Sequence, residues 1–177
     1  MTWITVAHTA HVDPTDLGAA RALLEHAFPD GFGEQDWEHC LGGLHALAWD
    51  AGELVGHGAL VQRRLFHHGR ALRTGYIEGV AVREPSRRSG VGSLLMEELE
   101  RLVRAAYEVG ALSATDVGGL FYRGRGWLRW RGRTAAMGPE GIVATPDDDD
   151  AVFVLPVHAP LNPAGQLVCD WRDGDVW

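Results

Sequence analysis

The most constraining stretch of the sequence runs from residue 71 to residue 106, where a β-like segment passes through a glycine-containing loop into a long amphipathic helix. Residues 71–82 follow a period of two, which puts Tyr76, Glu78, Val80 and Val82 on one side of a strand and Ile77, Gly79 and Ala81 on the other. Val91, Leu94, Leu95, Glu98, Leu102 and Ala106 then recur at helical spacing, with Gly110 placed as the residue after that helix. Between strand and helix lies Arg87-Arg88-Ser89-Gly90-Val91-Gly92, an R-x-x-G-x-G segment. Glycines at such a turn let the backbone approach a ligand, and the N–H groups opening the helix converge on one spot, the arrangement that holds a pyrophosphate. Arg87 and Arg88 add cationic donors for the same phosphates. A bare G-x-G says little by itself. Two alternatives drop out: no G-x-x-x-x-G-K-[ST] is present, and Leu95 stands where G-x-G-x-x-G needs its third glycine.

The flanking sequence alternates helices and strands. Residues 4–8 read as a strand, and Asp13 before Pro14 caps a helix carrying Leu17, Ala20, Leu24 and Ala27. A short helix is expected over 36–41, stopped by Gly42-Gly43. Strands at 44–49 and 54–66 meet at the Asp50-Ala51-Gly52 turn, and His67-His68-Gly69-Arg70 forms the next turn. Further strands are expected at 111–115, 127–130, 152–157 and 166–170, with a helical turn ending near Gly124. Residues 138–150 are the only linker-like stretch and lie too late to divide domains. The class is mixed α/β with mainly antiparallel hairpins, and a chain of 177 residues, 46% hydrophobic, suits one domain over 1–177.

A formal net charge of −8 argues against a nucleic-acid partner and fits a cationic one. Much of it sits in Asp147-Asp148-Asp149-Asp150, Asp170, Asp173 and Asp175, either a solvated acidic surface or a binding one. The absence of a long apolar run or a signal-like start points to a soluble, cytosolic protein without a membrane partner. Cys40 and Cys169 form no C-x-x-C pair and read as reduced packing residues, while His39, His45, His57, His67 and His68 match no zinc spacing, so no metal is expected. Cys40 with His39 or His45 as a covalent nucleophile and base is disfavoured, since neighbours on a short helix rarely form such a pair.

V-x-V followed by R-x-x-G-x-G at a helix start resembles the acetyl-CoA signature of the GNAT acetyltransferases. A second resemblance spans nearly the whole chain. Asp36-Trp37-Glu38-His39, Leu41-Gly42-Gly43-Leu44-His45, Gly75 to Val82, Thr145-Pro146-Asp147-Asp148-Asp149, Phe153-Val154-Leu155-Pro156, Cys169-Asp170-Trp171-Arg172 and Gly174-Asp175-Val176-Trp177 are similar to the aminoglycoside 2′-N-acetyltransferases. The resemblance implies the GNAT fold: a twisted, mostly antiparallel sheet with flanking helices, splayed open where acetyl-CoA lies. It also implies that the backbone of Val80 and Val82 bonds the pantetheine arm, and that Arg87, Arg88, Ser89, Gly90, Val91 and Gly92 hold the pyrophosphate.

Acyl transfer to an amine needs a proton acceptor, a donor to the developing oxyanion and an acid for the departing thiolate. Glu78, on the face of Val80 and Val82, is either the base or a half-buried carboxylate satisfied by an arginine, and the resemblance favours the base. It likewise assigns the Val80 N–H to the oxyanion and Tyr122 to the acid, against simple packing of that ring. Asp36, Gly79, Ser113, Asp148, Asp175 and the terminal carboxylate of Trp177 would contact the antibiotic, and a homodimer is implied. The alternatives are a GNAT enzyme for another polyamine, amino sugar or peptide amine, and a non-catalytic acyl-CoA-binding module.

Overall fold

The structure is a computed structural model that describes residues 1–177, with the side chains of 116 and 117 left out. The chain forms two compact units, Met1–Val61 with Ile77–Leu102, and Gln62–Tyr76 with Val103–Trp177.

The first unit holds β1 (Trp3–His8), α1 (Pro14–Ala27), α2 (Glu34–Cys40), β2 (Leu44–Asp50), the first part of β3 (Glu53–His67), the end of β4 (Arg70–Val82) and most of α3 (Val91–Ala106). Strand β2 pairs antiparallel with β1, Trp3 opposite Trp49 and His8 opposite Leu44, and with β3 through a hairpin. That hairpin turns at Ala51 (φ 50°) and Gly52 (φ 83°), the left-handed geometry that glycine makes cheap. Helix α1 starts as its sequence dictates: Pro14 occupies the first turn and the Asp13 carboxylate accepts the Thr15 N–H at 2.8 Å. Its buried Ala20 and Leu24 pack with Trp37 and Cys40 of α2 and with Leu47, Ala59 and Ala81 of the strands. On the opposite face α3 sits close to β3, because a Cβ at Gly56 would lie 2.9 Å from Leu95 Cδ1 and one at Gly58 2.8 Å from Leu99 Cδ1.

The second unit adds β5 (Val109–Ser113), α4 (Asp116–Gly124), β6 (Leu128–Arg129), β7 (Thr134–Gly138), β8 (Gly141–Ala144), β9 (Val152–Pro156) and β10 (Leu167–Asp170). Thr74, Gly75 and Tyr76 of β4 run parallel to Val109, Gly110 and Ala111, and β9 pairs antiparallel with both β5 and β6. Strand β10 lies parallel to β7 and antiparallel to β3 at Leu65 and Phe66. Trp127, Trp130 and Phe153 are fully buried here, with the Trp130 indole N–H donating to Gly165 O at 3.0 Å. Trp171 remains 49% exposed.

Four expectations need correction. Gly110 does not follow the helix, which ends at Ala106; it lies inside β5, where a Cβ would sit 3.0 Å from Val103 Cγ1 and 3.1 Å from Trp127 Cη2. Its purpose is close packing. Residues 138–150 are no linker, since Gly138 and Gly141 close the β7–β8 hairpin and Pro146–Asp148 forms a 3₁₀ turn. Strand β5 begins at Val109 rather than at residue 111, and α2 begins at Glu34 because the Gly33 N–H is held by the Asp36 carboxylate at 2.7 Å.

Candidate active site

Within the first unit the last turn of β4 carries Glu78, Gly79, Val80 and Val82. Glu78, Gly79 and Val80 are half-buried. Gly79 breaks the regular strand with φ +52°, a region closed to most side chains, and a Cβ there would meet Cys40 Sγ at 2.7 Å and Leu24 Cδ1 at 3.1 Å. Only glycine fits both demands. The Gly79 carbonyl accepts from His57 Nδ1 at 2.7 Å. His57 Nε2 lies 2.9 Å from His45 Nδ1, and His45 Nε2 lies 2.8 Å from the Thr9 hydroxyl. Burial pushes both imidazoles down to about 4, His57 against the opposing pull of the Gly79 carbonyl and His45 with help from His8, so both rings are neutral at pH 7. Both His45 nitrogens are engaged elsewhere, and the Cys40 thiol donates to Asp36 O at 3.4 Å.

Below β4, residues 83–90 turn the chain into α3. The Arg83 N–H donates to Val55 O, Arg87 Nε donates to Val82 O at 3.0 Å, and the Ser89 hydroxyl donates to Ser86 O at 2.6 Å. Arg88 (φ 60°) and Gly90 (φ 92°) are both left-handed, and the Leu94 N–H donates to Gly90 O at 3.0 Å. Arg87, Arg88, Ser89 and Gly90 are exposed, whereas Val91 packs inward at 3% exposure. An exposed loop with two arginines, opening a helix of 16 residues, suits a multiply charged anion such as a pyrophosphate. A cavity of about 340 Å³ lies beside it, lined by Leu23, His26, Leu54, Val82, Arg83 and Arg87.

In the second unit the Tyr122 ring packs edge-on against Trp127 and tilted against Phe153, both centroids 6.2 Å away. Burial pushes its hydroxyl up to about 12, so it holds its proton through the neutral range. Asp148, Asp175 and Trp177 come together around Thr145. Burial, then the nearby Asp175, raise the Asp148 carboxyl above its ordinary range, while Thr145 bonds it and opposes the rise. The Trp177 N–H reaches Asp175 Oδ1 at 3.2 Å, its indole donates to Thr145 Oγ1 at 2.9 Å, and the residue is 3% exposed. Ser113 is exposed at the end of β5. Asp36 belongs to α2, where its carboxylate already accepts the Gly33 N–H.

Sequence reasoning missed the pairing of His45 with His57. The signal was available in the β2–β3 hairpin: His45 faces Ala59 across the ladder, and His57 is its diagonal neighbour on the same side. It also missed Arg63, 5% exposed, which donates to Asp170 Oδ1 at 2.8 Å and Val176 O at 2.8 Å and lies 4.6 Å from the Tyr76 ring centroid. Arg63 and Arg172, which donates to Asp175 O and Trp177 O, fasten the acidic segment.

The model of the acetyltransferase (GNAT) family matches residues 19–126. An aminoglycoside 2′-N-acetyltransferase from Mycolicibacterium fortuitum is 46% identical over 176 residues, covering 97% of this chain and 90% of that protein. Among solved structures, the GNAT family N-acetyltransferase YhbS from Escherichia coli, in complex with CoA, superposes with a TM-score of 0.64 at 19% identity, covering 97% of this chain and 90% of that one. A conserved protein of unknown function from Enterococcus faecalis gives 0.61 at 16% identity over 75% of this chain, which spans only 33% of that longer protein. At these identities the structural matches speak to the fold alone. The family match over residues 19–126 and the near full-length relative agree, and the chain belongs to the GNAT acetyltransferase family.

Proposed function

We propose that this protein transfers the acetyl group of acetyl-CoA to the 2′-amine of an aminoglycoside by direct attack. The observation that carries the reading is its near full-length likeness to an aminoglycoside 2′-N-acetyltransferase. The local geometry supports it. The exposed turn at Arg87 to Gly90, at the head of α3, binds the coenzyme pyrophosphate, together with Val91 and Gly92. Acetyl-CoA supplies an activated thioester, and the Val80 and Val82 backbone positions its pantetheine arm. Val80 N–H donates to the acetyl oxygen as negative charge builds there, and Glu78 takes the proton of the attacking amine. Tyr122, which stays protonated, is the acid for the departing thiolate. Asp148 and Asp175, with Asp36, Ser113, Trp177 and the Gly79 backbone, receive the ammonium-rich substrate through charge-assisted hydrogen bonds.

The test is thiol release from acetyl-CoA with aminoglycosides bearing a 2′-amine, matched compounds with a 2′-hydroxyl and simple polyamines, followed by NMR of the product. Release confined to 2′-amino compounds, with the acetyl group on that nitrogen, is the expected result. Turnover of polyamines alone would move the assignment to another amine, and binding of acetyl-CoA with no turnover would make the chain a coenzyme-binding module.

A further inference from the structure

Two buried imidazoles of the first unit have no part in the chemistry proposed above, and their hydrogen bonds fix their protonation. A carbonyl oxygen only accepts, so His57 Nδ1, 2.7 Å from Gly79 O, carries the proton. In the neutral ring His57 Nε2 then accepts, and His45 Nδ1, 2.9 Å away, must donate to it. His45 Nε2 is left to accept from the Thr9 hydroxyl at 2.8 Å, nearer than the other acceptor of that hydroxyl, Gly43 O at 3.3 Å. Thr9 Oγ1 in turn accepts the Gly42 N–H at 3.0 Å. The bonds run one way, from Thr9 through both histidines to Gly79. They form no proton wire to a substrate, because the last member is an amide carbonyl.

What they hold is a peptide plane. The Gly79 carbonyl and the Val80 N–H are opposite ends of one trans unit, so fixing the direction of one fixes the other. The hold is needed at Gly79, whose φ of +52° takes it out of the regular ladder geometry and which has no side chain to pin it. The same bond polarises the amide and makes its N–H a stronger donor. We infer that His57 is a positioning residue: its Nδ1–H, oriented by His45 and Thr9, locks the Gly79–Val80 peptide with the Val80 N–H aimed at the acetyl carbonyl. The inference rests on the reading of Val80 N–H as the oxyanion donor.

The test is the infrared carbonyl band of acetyl-CoA labelled with ¹³C in the thioester carbonyl, bound without amine to wild type, His57→Leu and His57→Asn. In wild type the bound band lies below that of the free thioester. His57→Leu moves it back toward the free position and lowers kcat by about 10–100-fold, less than outright loss of an oxyanion donor, while KM for the amine stays put. His57→Asn, whose side-chain amide takes the place of Nδ1–H, recovers most of both. No band shift in wild type would overturn the donor role of Val80 and the inference with it. A wild-type shift left unchanged by His57→Leu would overturn the inference alone. Should His57→Leu fail to fold, ¹⁵N NMR of wild type decides: a Nδ1–H tautomer at His57 is expected at pH 7, and a Nε2–H tautomer overturns the lock.

Discussion

The indole N–H of Trp177 donates to the Thr145 hydroxyl at 2.9 Å, joining two segments 32 residues apart in sequence. Because the indole is buried, removing its acceptor costs more than one exposed hydrogen bond. Thr145→Val should lower stability by about 1–3 kcal/mol in urea unfolding, Trp177→Phe should also destabilise, and the double variant should lose less than the sum. Additive losses would show that the bond is not formed.

In the proposed role of Asp148, binding an ammonium-rich substrate opposes stability. Its folded-state pKa is raised by burial and by Asp175, so its contribution is fully present below the unfolded pKa and is lost as pH rises through the folded one. Asp148→Asn should therefore melt higher than wild type at pH 7, with the gap closing as pH falls into the ordinary carboxylate range. The same variant should raise KM for an aminoglycoside by about 10–100-fold, the equivalent of one charge-assisted bond. Scanning calorimetry across pH and steady-state kinetics check the two halves separately.

Gly79→Ala combines a strained left-handed φ with an overlap against Cys40 Sγ. It should cost about 2–4 kcal/mol, the sum of left-handed strain and overpacking. Adding Cys40→Ala should return only the overlap part, because the backbone angle is unchanged. Full recovery in thermal unfolding would mean that φ carries no strain.

With Glu78 as the base, Glu78→Gln should lower kcat by about 100-fold at neutral pH, within the range that general-base catalysis contributes. Acetyl-CoA affinity by calorimetry should stay nearly constant. Unchanged turnover would return Glu78 to a purely structural carboxylate.

The neutral histidine pair makes the fold acid-sensitive in a defined window. Both folded pKa values, about 4, lie below the ordinary value of 6.5, so the unfolded chain takes up protons first as pH falls. Stability that is full above pH 6.5 should drop between 6.5 and 4. His57→Asn, which cannot charge, should flatten that slope in melting experiments at pH 7.5, 6 and 5. Equal slopes would place the acid sensitivity elsewhere.

The strand, turn and helix from Arg70 to Ala106 were legible because three independent signals coincide there: a period of two, left-handed turn residues and a helical stripe. The Asp13-Pro14 start of α1 and the hairpin at Ala51-Gly52 were legible because local chemistry decides them. The bend at Gly79 was hidden because a positive φ inside a strand leaves no mark on hydrophobic alternation, and the partner of its carbonyl, His57, lies 22 residues away. The β7–β8 hairpin was hidden because Ile142 and Val143 are exposed, so its period is not that of a half-buried strand. Of the residues proposed to face the substrate, the acidic run itself was visible; that Thr145 lies between Asp148 and Trp177, with Asp175 nearby, was not, since it depends on long-range bonds.

Arg63 bears on the order in which the second unit can be completed during synthesis. Its guanidinium is buried, yet Asp170 and Val176, which neutralise and bond it, follow 107 and 113 residues later. A ribosome needs on the order of ten seconds to cover that distance. Until Val176 has emerged, this cation cannot settle in its native site with its partners in place, and leaving it buried alone would be strongly unfavourable. Burial of this one guanidinium therefore ties completion of the second unit to the segment that carries Asp170 and Val176.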